Sequence, residues 1–115
     1  MTTTTSSNET LWLAIAEPSR RRLIDILLGK GEATASQLAD DVPFSRQAVS
    51  KHMAVLKNAG LISARRTGKE VRFAIQPDGI SAAAKEMSQA AKLWDERLEK
   101  IKLIAEAISE REQYE

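Results

Sequence analysis

Arg46, Gln47, Ser50, Lys51, Lys57 and Asn58 fall with Ala54 on one helical face of the stretch Ser45–Leu61 (SRQAVSKHMAVLKNAGL), and no acidic residue interrupts them. Guanidinium, ammonium, carboxamide and hydroxyl groups so placed can donate to phosphate oxygens and read base edges. Gln pairs with adenine, Arg or Lys with guanine. A plain surface helix mixes both signs of charge. Arg46, Gln47, Ser50 and Lys51 are therefore candidates for base-edge contact in a major groove, and Ser45 and Lys57 for phosphates. A second basic group follows at Arg65, Arg66, Lys69 and Arg72. It suits phosphates, or a minor groove beside the first group.

The charge distribution agrees. The whole 115-residue chain carries only +1. Residues 43–76 hold seven basic side chains against Glu70 alone, while the flanks come to −2 and −3. Such a concentrated basic stretch is the footprint of a nucleic-acid binder.

These residues need elements to hold them. Ser45 is a good N-cap, Phe44 and Val49 have the spacing of a hydrophobic staple, and Gly60 suits a left-handed stop. Val49, Met53 and Leu56 form the buried stripe of the helix. Just upstream, Thr34–Val42 predicts a shorter helix, with Thr34 and Gln37 at capping-box spacing and Pro43 as its end. Short helix, tight turn and longer polar-faced helix make a helix-turn-helix. From Leu61 to Ile75 the period changes to two, with Val71, Phe73 and Ile75 alternating with Arg72 and Ala74. Thr67-Gly68-Lys69 supplies the turn of a β-hairpin wing.

Met1–Ser7 reads as a disordered tail. Asn8–Ala16, with Leu11, Trp12 and Ile15, is a short helix apolar on more than one side. Glu17–Leu28 forms the next helix, opened by Pro18 and closed by Gly29 and Gly31. Arg20, Arg21 and Arg22 sit in its first turns, where the helix dipole disfavours cations. Either Arg21 pairs with Asp25, or one arginine reaches a phosphate. Glu17 and Glu32 read as helix-end residues. Pro77-Asp78-Gly79 is a turn, and one helix runs from about residue 80 to 112. Met87, Ala91, Trp94, Leu98, Ile101, Ala105 and Ile108 follow one another at steps of 4, 3, 4, 3, 4, 3, the rhythm of a helix that packs along another helix. About 30 residues span roughly 45 Å, more than so small a domain covers alone. A twofold dimer through this stripe and Leu11, Trp12 and Ile15 is the economical solution. The expected fold is mostly α with a β-hairpin wing: a winged helix-turn-helix over residues 8–115, with long N- and C-terminal dimerisation helices.

Four phrases carry a family resemblance: AEPSRRRLIDILL (Ala16–Leu28), ATASQLADDV (Ala33–Val42), SRQAVSKHMAVLKNAGLI (Ser45–Ile62) and RRTGKEVRFAI (Arg65–Ile75). Together they resemble the ArsR/SmtB-type winged-helix repressors from Leu11 to about Ala107. The third is the most specific. The resemblance implies a dimer through the first and last helices, binding to an inverted-repeat operator on double-stranded DNA, repression, and in many members release by an inducer. The chain departs from the metal-sensing branch. It has no cysteine, and its one histidine, His52, lies on the recognition helix at the edge of the apolar face. With zinc wanting four donors, a metal-independent branch is implied, with no cofactor.

Two other functions fit parts of the sequence. An apolar small molecule could lodge at a dimer interface around Trp12, Trp94 and Leu98, or the winged helix could serve protein contact alone. The uninterrupted basic face speaks against the latter. No Ser/His/Asp pairing, glycine-rich phosphate loop or metal constellation supports an enzyme. With no cysteine, disulfides are excluded, and with no signal segment or membrane-length apolar run, the expectation is a cytoplasmic protein acting at the nucleoid, not at a membrane.

Overall fold

The structure is a computed structural model that describes residues 3–113, with side chains from Glu9 onward. Five helices and three strands follow in the order α1 (Thr3–Ala16), α2 (Pro18–Lys30), β1 (Glu32–Thr34), α3 (Ala35–Ala39), α4 (Arg46–Asn58), β2 (Ile62–Thr67), β3 (Glu70–Ile75) and α5 (Pro77–Gln113). The chain divides after Ala83 into two compact units, the second being the remainder of α5.

In the first unit, α1–α4, the small sheet and the start of α5 close one core. Leu23 and Leu27 of α2, Leu38 of α3, Val49, Met53 and Leu56 of α4, and Leu61 are shut off from solvent. The 3- and 4-residue spacings of α2 and α4 put those side chains on one face, as their sequences require.

The caps follow the local chemistry. Ser45 Oγ accepts from Ala48 N at 3.1 Å. Thr34 and Gln37 form a complete capping box, with Gln37 N donating to Thr34 Oγ1 at 3.2 Å and Thr34 N to Gln37 Oε1 at 2.9 Å. Beyond Ala39 the backbone tightens, Asp41 N donating to Leu38 O at 3.0 Å, so α3 is shorter than its apolar pattern. At the end of α4, Gly60 takes φ 79°. Gly60 N donates to Lys57 O and Leu61 N to Leu56 O, each at 3.0 Å. This is a Schellman stop, which glycine adopts without a Cβ penalty.

At the start of α2, the Glu17 side chain accepts from Ser19 N at 2.9 Å. That backbone hydrogen bond, above all, holds the carboxyl below the usual carboxylate range. A lowered folded-state pKa means the cap contributes fully above the ordinary Glu range and is lost as pH falls through the folded value. The stability gap between the parent and Glu17→Gln should therefore close as acid is added, in urea titrations run from pH 7 to pH 3. A gap that widened in acid would contradict the cap.

The sheet has the order β1-β3-β2, all neighbours antiparallel. Thr67 pairs with Glu70, so the hairpin loop is Gly68-Lys69. Gly68 has φ 64° and Lys69 does not share a positive φ, the arrangement of a type II′ turn whose twist suits a hairpin.

Five features depart from the sequence expectation. The first helix starts at Thr3, not Asn8, within the stretch assigned to a tail; Met1 and Thr2 lie outside the described residues. Once Leu11 and Ala14 are docked, each added residue extends the helix cheaply, and no Pro or Gly stops it. Leu11, expected at a subunit interface, is only 8% exposed within its own chain's core, whereas Trp12, one residue round the helix, is 37% exposed. Ile15 is half-buried against the same core. Glu32 is not a helix-end residue but opens β1, a strand with no sequence pattern of its own. Pro77-Asp78-Gly79 is the first turn of α5, for proline's fixed φ suits the N1 position.

Candidate nucleic-acid interface

The helix-turn-helix is α3 and α4, and α4 presents its polar face as its apolar stripe demands. Arg46, Gln47, Ser50, Lys51, Ala54, Lys57 and Asn58 are all exposed, while Val49, Met53 and Leu56 are fully buried. Ser45, its hydroxyl oxygen accepting from the helix, still has its own proton to donate. A cavity of about 330 Å³ lies between Thr34 at the end of β1, Ala35 and Ser36 of α3, Arg46 and Ser50 of α4, and Lys69–Val71 and Phe73 of the wing. Two of the four candidate base-reading residues thus share a groove with a wing cation. Gln47 lines a neighbouring hollow of about 250 Å³ with Arg46 and Ser50.

The four wing cations are not equivalent. Arg65 donates to both carboxylate oxygens of Glu32, at 2.9 and 3.0 Å, and to Thr67 Oγ1 at 2.8 Å. Arg72 donates to Glu70 Oε1 at 3.0 Å. Arg66 and Lys69 have no acidic partner among the described residues. Like charges at one tip repel; here two of the four cations each have a carboxylate beside them. The sequence hid this, because Glu32 lies 33 residues from Arg65 and meets it only once β1 joins the sheet.

Arg21 does not pair with Asp25 among the described residues, and both Arg20 and Arg21 are engaged at the end of α1. Arg20 Nε donates to Ala14 O at 2.7 Å and its Nη2 to Leu13 O at 2.8 Å, while Arg21 donates to Ile15 O. They close the carbonyl end of α1, where cations are favoured by the helix dipole. A sequence signal existed: the break at Glu17-Pro18 leaves three bare carbonyls just before a run of arginines. Arg20 Nη1 also lies 3.3 Å from His52 Nδ1. Because arginine only donates, that nitrogen accepts. The His52 ring in turn stands edge-on to Phe44, with centroids 5.5 Å apart. His52 is thus a packing and hydrogen-bonding residue that ties α4 to α1 through Arg20.

Beyond the first unit, α5 displays an apolar stripe to solvent. Met87, Trp94, Leu98, Ile101 and Ile108 are between 41% and 56% exposed, and Ala91 is also exposed. The Arg97 guanidinium lies over the Trp94 ring, 5.1 Å from its centroid. No helix among the described residues is long and apolar enough to cross a membrane.

Comparison with known proteins agrees with this geometry. Residues 15–64 match a family described as a helix-turn-helix domain. The chain is 37% identical over 76 residues to the HTH-type transcriptional regulator Rv2034 of Mycobacterium tuberculosis, covering 66% of this chain and 70% of the relative. It is 36% identical over 62 residues to the transcriptional repressor SdpR of Bacillus subtilis, covering 54% and 68%. An ArsR-like transcriptional regulator from Rhodococcus sp. RHA1 superposes with a TM-score of 0.69 at 31% identity, covering 93% of this chain and 98% of that one. With its capped α3–α4 pair, its hairpin wing and these relatives, the chain belongs to the ArsR-type family of winged helix-turn-helix, DNA-binding transcriptional regulators, and is not an enzyme.

Proposed function

We propose that the chain is a homodimeric repressor that binds an inverted-repeat operator without sensing a metal. The observation that carries this is the groove in which Arg46 and Ser50 of α4 meet Lys69 of the wing. A single duplex lying there would be read at base edges and gripped at its backbone together. Arg46, Gln47, Ser50 and Lys51 read bases; Ser45, Lys57, Arg66 and Lys69 hold phosphates. Arg65 and Arg72 contribute less than their charge suggests, because each would first have to leave its carboxylate. Dimerisation is supported by the exposed stripe on α5 and by Trp12 on α1. The absence of cysteine from the whole sequence supports metal independence. Two α4 helices related by a twofold would address half-sites roughly 34 Å apart. Operation in the cytoplasm, on operator DNA, follows from that reading.

Binding-site selection from random duplexes at two salt concentrations is the test. An enriched inverted repeat, bound less tightly as salt rises, is expected. On that repeat, Arg46→Ala should cost about 1–3 kcal/mol and relax choice at one base position. Arg66→Ala should weaken every sequence alike and flatten the salt slope by about 1. Arg65→Ala should do so less. Equal effects of all three on every sequence would overturn these roles, and salt-sensitive binding without an enriched repeat would overturn the repressor.

A further inference from the structure

We propose that Glu32 is a determinant of sequence specificity that acts by exclusion. Its carboxylate occupies Arg65 on the face of the wing turned away from the recognition groove, and so denies duplex DNA a second, sequence-blind seat there. This rests on the groove being the operator's seat, as proposed above.

The strands sort the wing cations by parity, since successive side chains point to opposite faces of a sheet. On β2, Ile62, Ala64 and Arg66 share one face and Ser63, Arg65 and Thr67 the other. Ile62 is buried in the core, so Arg65 points outward. On β3, Phe73 and Ile75 pack against the core and Val71 shares their side, while Arg72 and Ala74 take the outer side. Val71 and Phe73 line the groove that holds Arg46, Ser50 and Lys69. Arg66 therefore stands on the groove's side of the wing and Arg65 on its back.

Left free, that back would be basic. Arg65 and Arg72 are direct cross-strand partners, and like charges so placed repel. Two cations with no base-reading residue beside them would hold any phosphate alike, which is the sequence-blind part of DNA affinity. Glu32 removes Arg65 from that role. It lies on β1, across the central strand from β2, level with Ala74, whose small methyl leaves the way across open. Arg65 gives it two hydrogen bonds, of 2.9 and 3.0 Å, and donates a third, of 2.8 Å, to Thr67 Oγ1. A single-point exposed ion pair would be loose, but a bidentate guanidinium held at a third point is not. A phosphate would have to displace a carboxylate that stays tethered beside it, and would then face that carboxylate's charge.

The full chain is compared as the parent, Glu32→Gln, Arg65→Ala and the double variant, on a random-sequence duplex and on the repeat recovered by site selection. Gln keeps the size of Glu without its charge. Glu32→Gln should bind the random duplex about three- to tenfold more tightly at low salt and steepen its salt slope by about 1, the mark of one more cation. On the repeat its affinity should change by less than about twofold, so discrimination falls. With Arg65 already alanine, Glu32→Gln should gain no more than Asp40→Asn does in the parent. Asp40 lines with Glu32 a hollow of about 420 Å³ and has no basic partner among the described residues. Its variant makes the same change of net charge and frees no cation. A Glu32→Gln gain matched by Asp40→Asn, or surviving intact without Arg65, would reduce Glu32 to background charge and overturn the proposal. An equal gain on repeat and random duplex would overturn the exclusion and put Arg65 in the operator's seat. The random-duplex comparison needs no operator, so a parent that enriches no repeat would overturn the repressor reading, while Glu32 is still decided by that comparison.

Discussion

Gly79→Ala should be strongly destabilising, for Gly79 is the one glycine whose added methyl would meet other atoms within 4 Å. A Cβ at residue 79 would collide with the Gly60 carbonyl, whose carbon would lie 2.7 Å away, with Leu61 Cα at 3.5 Å. Both obstacles are backbone, and Gly60 is fixed by the Schellman pair, Gly60 N donating to Lys57 O and Leu61 N to Leu56 O. The first turn of α5 can therefore yield only by lifting from the end of the recognition helix. Alanine is normally the better helix former by about 1 kcal/mol. Here that gain should be swamped, leaving a net loss of about 3 kcal/mol, which for a chain of this size lowers Tm by roughly 10–20 °C. Gly29→Ala is the control. It lies inside α2 with nothing within 4 Å of the added atom, and should stabilise by up to about 1 kcal/mol. Denaturation at one fixed protein concentration decides, because association would shift both midpoints. Equal stabilities for the two variants would show that the α4–α5 junction yields to an added methyl.

The second large effect is expected at Arg20. Its side chain meets two carbonyls at the end of α1 and the acceptor nitrogen of His52 on α4. Arg20→Ala would strand those acceptors and should cost about 2 kcal/mol. Amide exchange should accelerate across residues 9–16 before the rest of the first unit responds. Arg20→Lys should recover only part, since an ammonium cannot reproduce the planar fork. Arg22→Ala, at an exposed position of the same helix, should change little. Equal costs at Arg20 and Arg22 would reduce the Arg20 contacts to surface decoration.

What the sequence made legible, and what it withheld, divides by the range of the interactions. Ser45, Thr34 with Gln37, Gly60 and Gly68 act within four or five residues of their own positions, and each could be read from its neighbours. The stripes of α2, α4 and α5 and the alternation of β3 are likewise local periodicities. The paired polar face of α4 follows directly from its buried one. Features made by distant partners were not legible. β1 is three residues long and becomes a strand only by pairing Ala33 with Phe73. Glu32 acquires its role from Arg65, and Arg20 from His52, and no spacing rule connects such residues. Leu11 and Trp12 are adjacent and similarly apolar, so which of them turns inward depends on where α2 and α4 lie. The start of α1 was missed for another reason: composition marks the low cost of disorder in a Thr/Ser run, but not the pull of a docked helix behind it.

The order of the sheet has a further consequence. With β3 central, β2 is an edge strand, and beyond the buried Ile62 its outer side lies at the rim of the sheet from Ser63 to Thr67. Natural proteins guard such edges with charge. Here the guards are Arg65 and Arg66, the residues that also give the wing its charge. Arg65 has a carboxylate to hold it in place, but Arg66 has none among the described residues. Stripping the wing of arginine would therefore remove more than the phosphate contacts proposed above: it would leave a short edge free to recruit a second strand. Arg66, proposed above to hold phosphate, would thus serve the edge as well, and a neutral residue in its place would lose both.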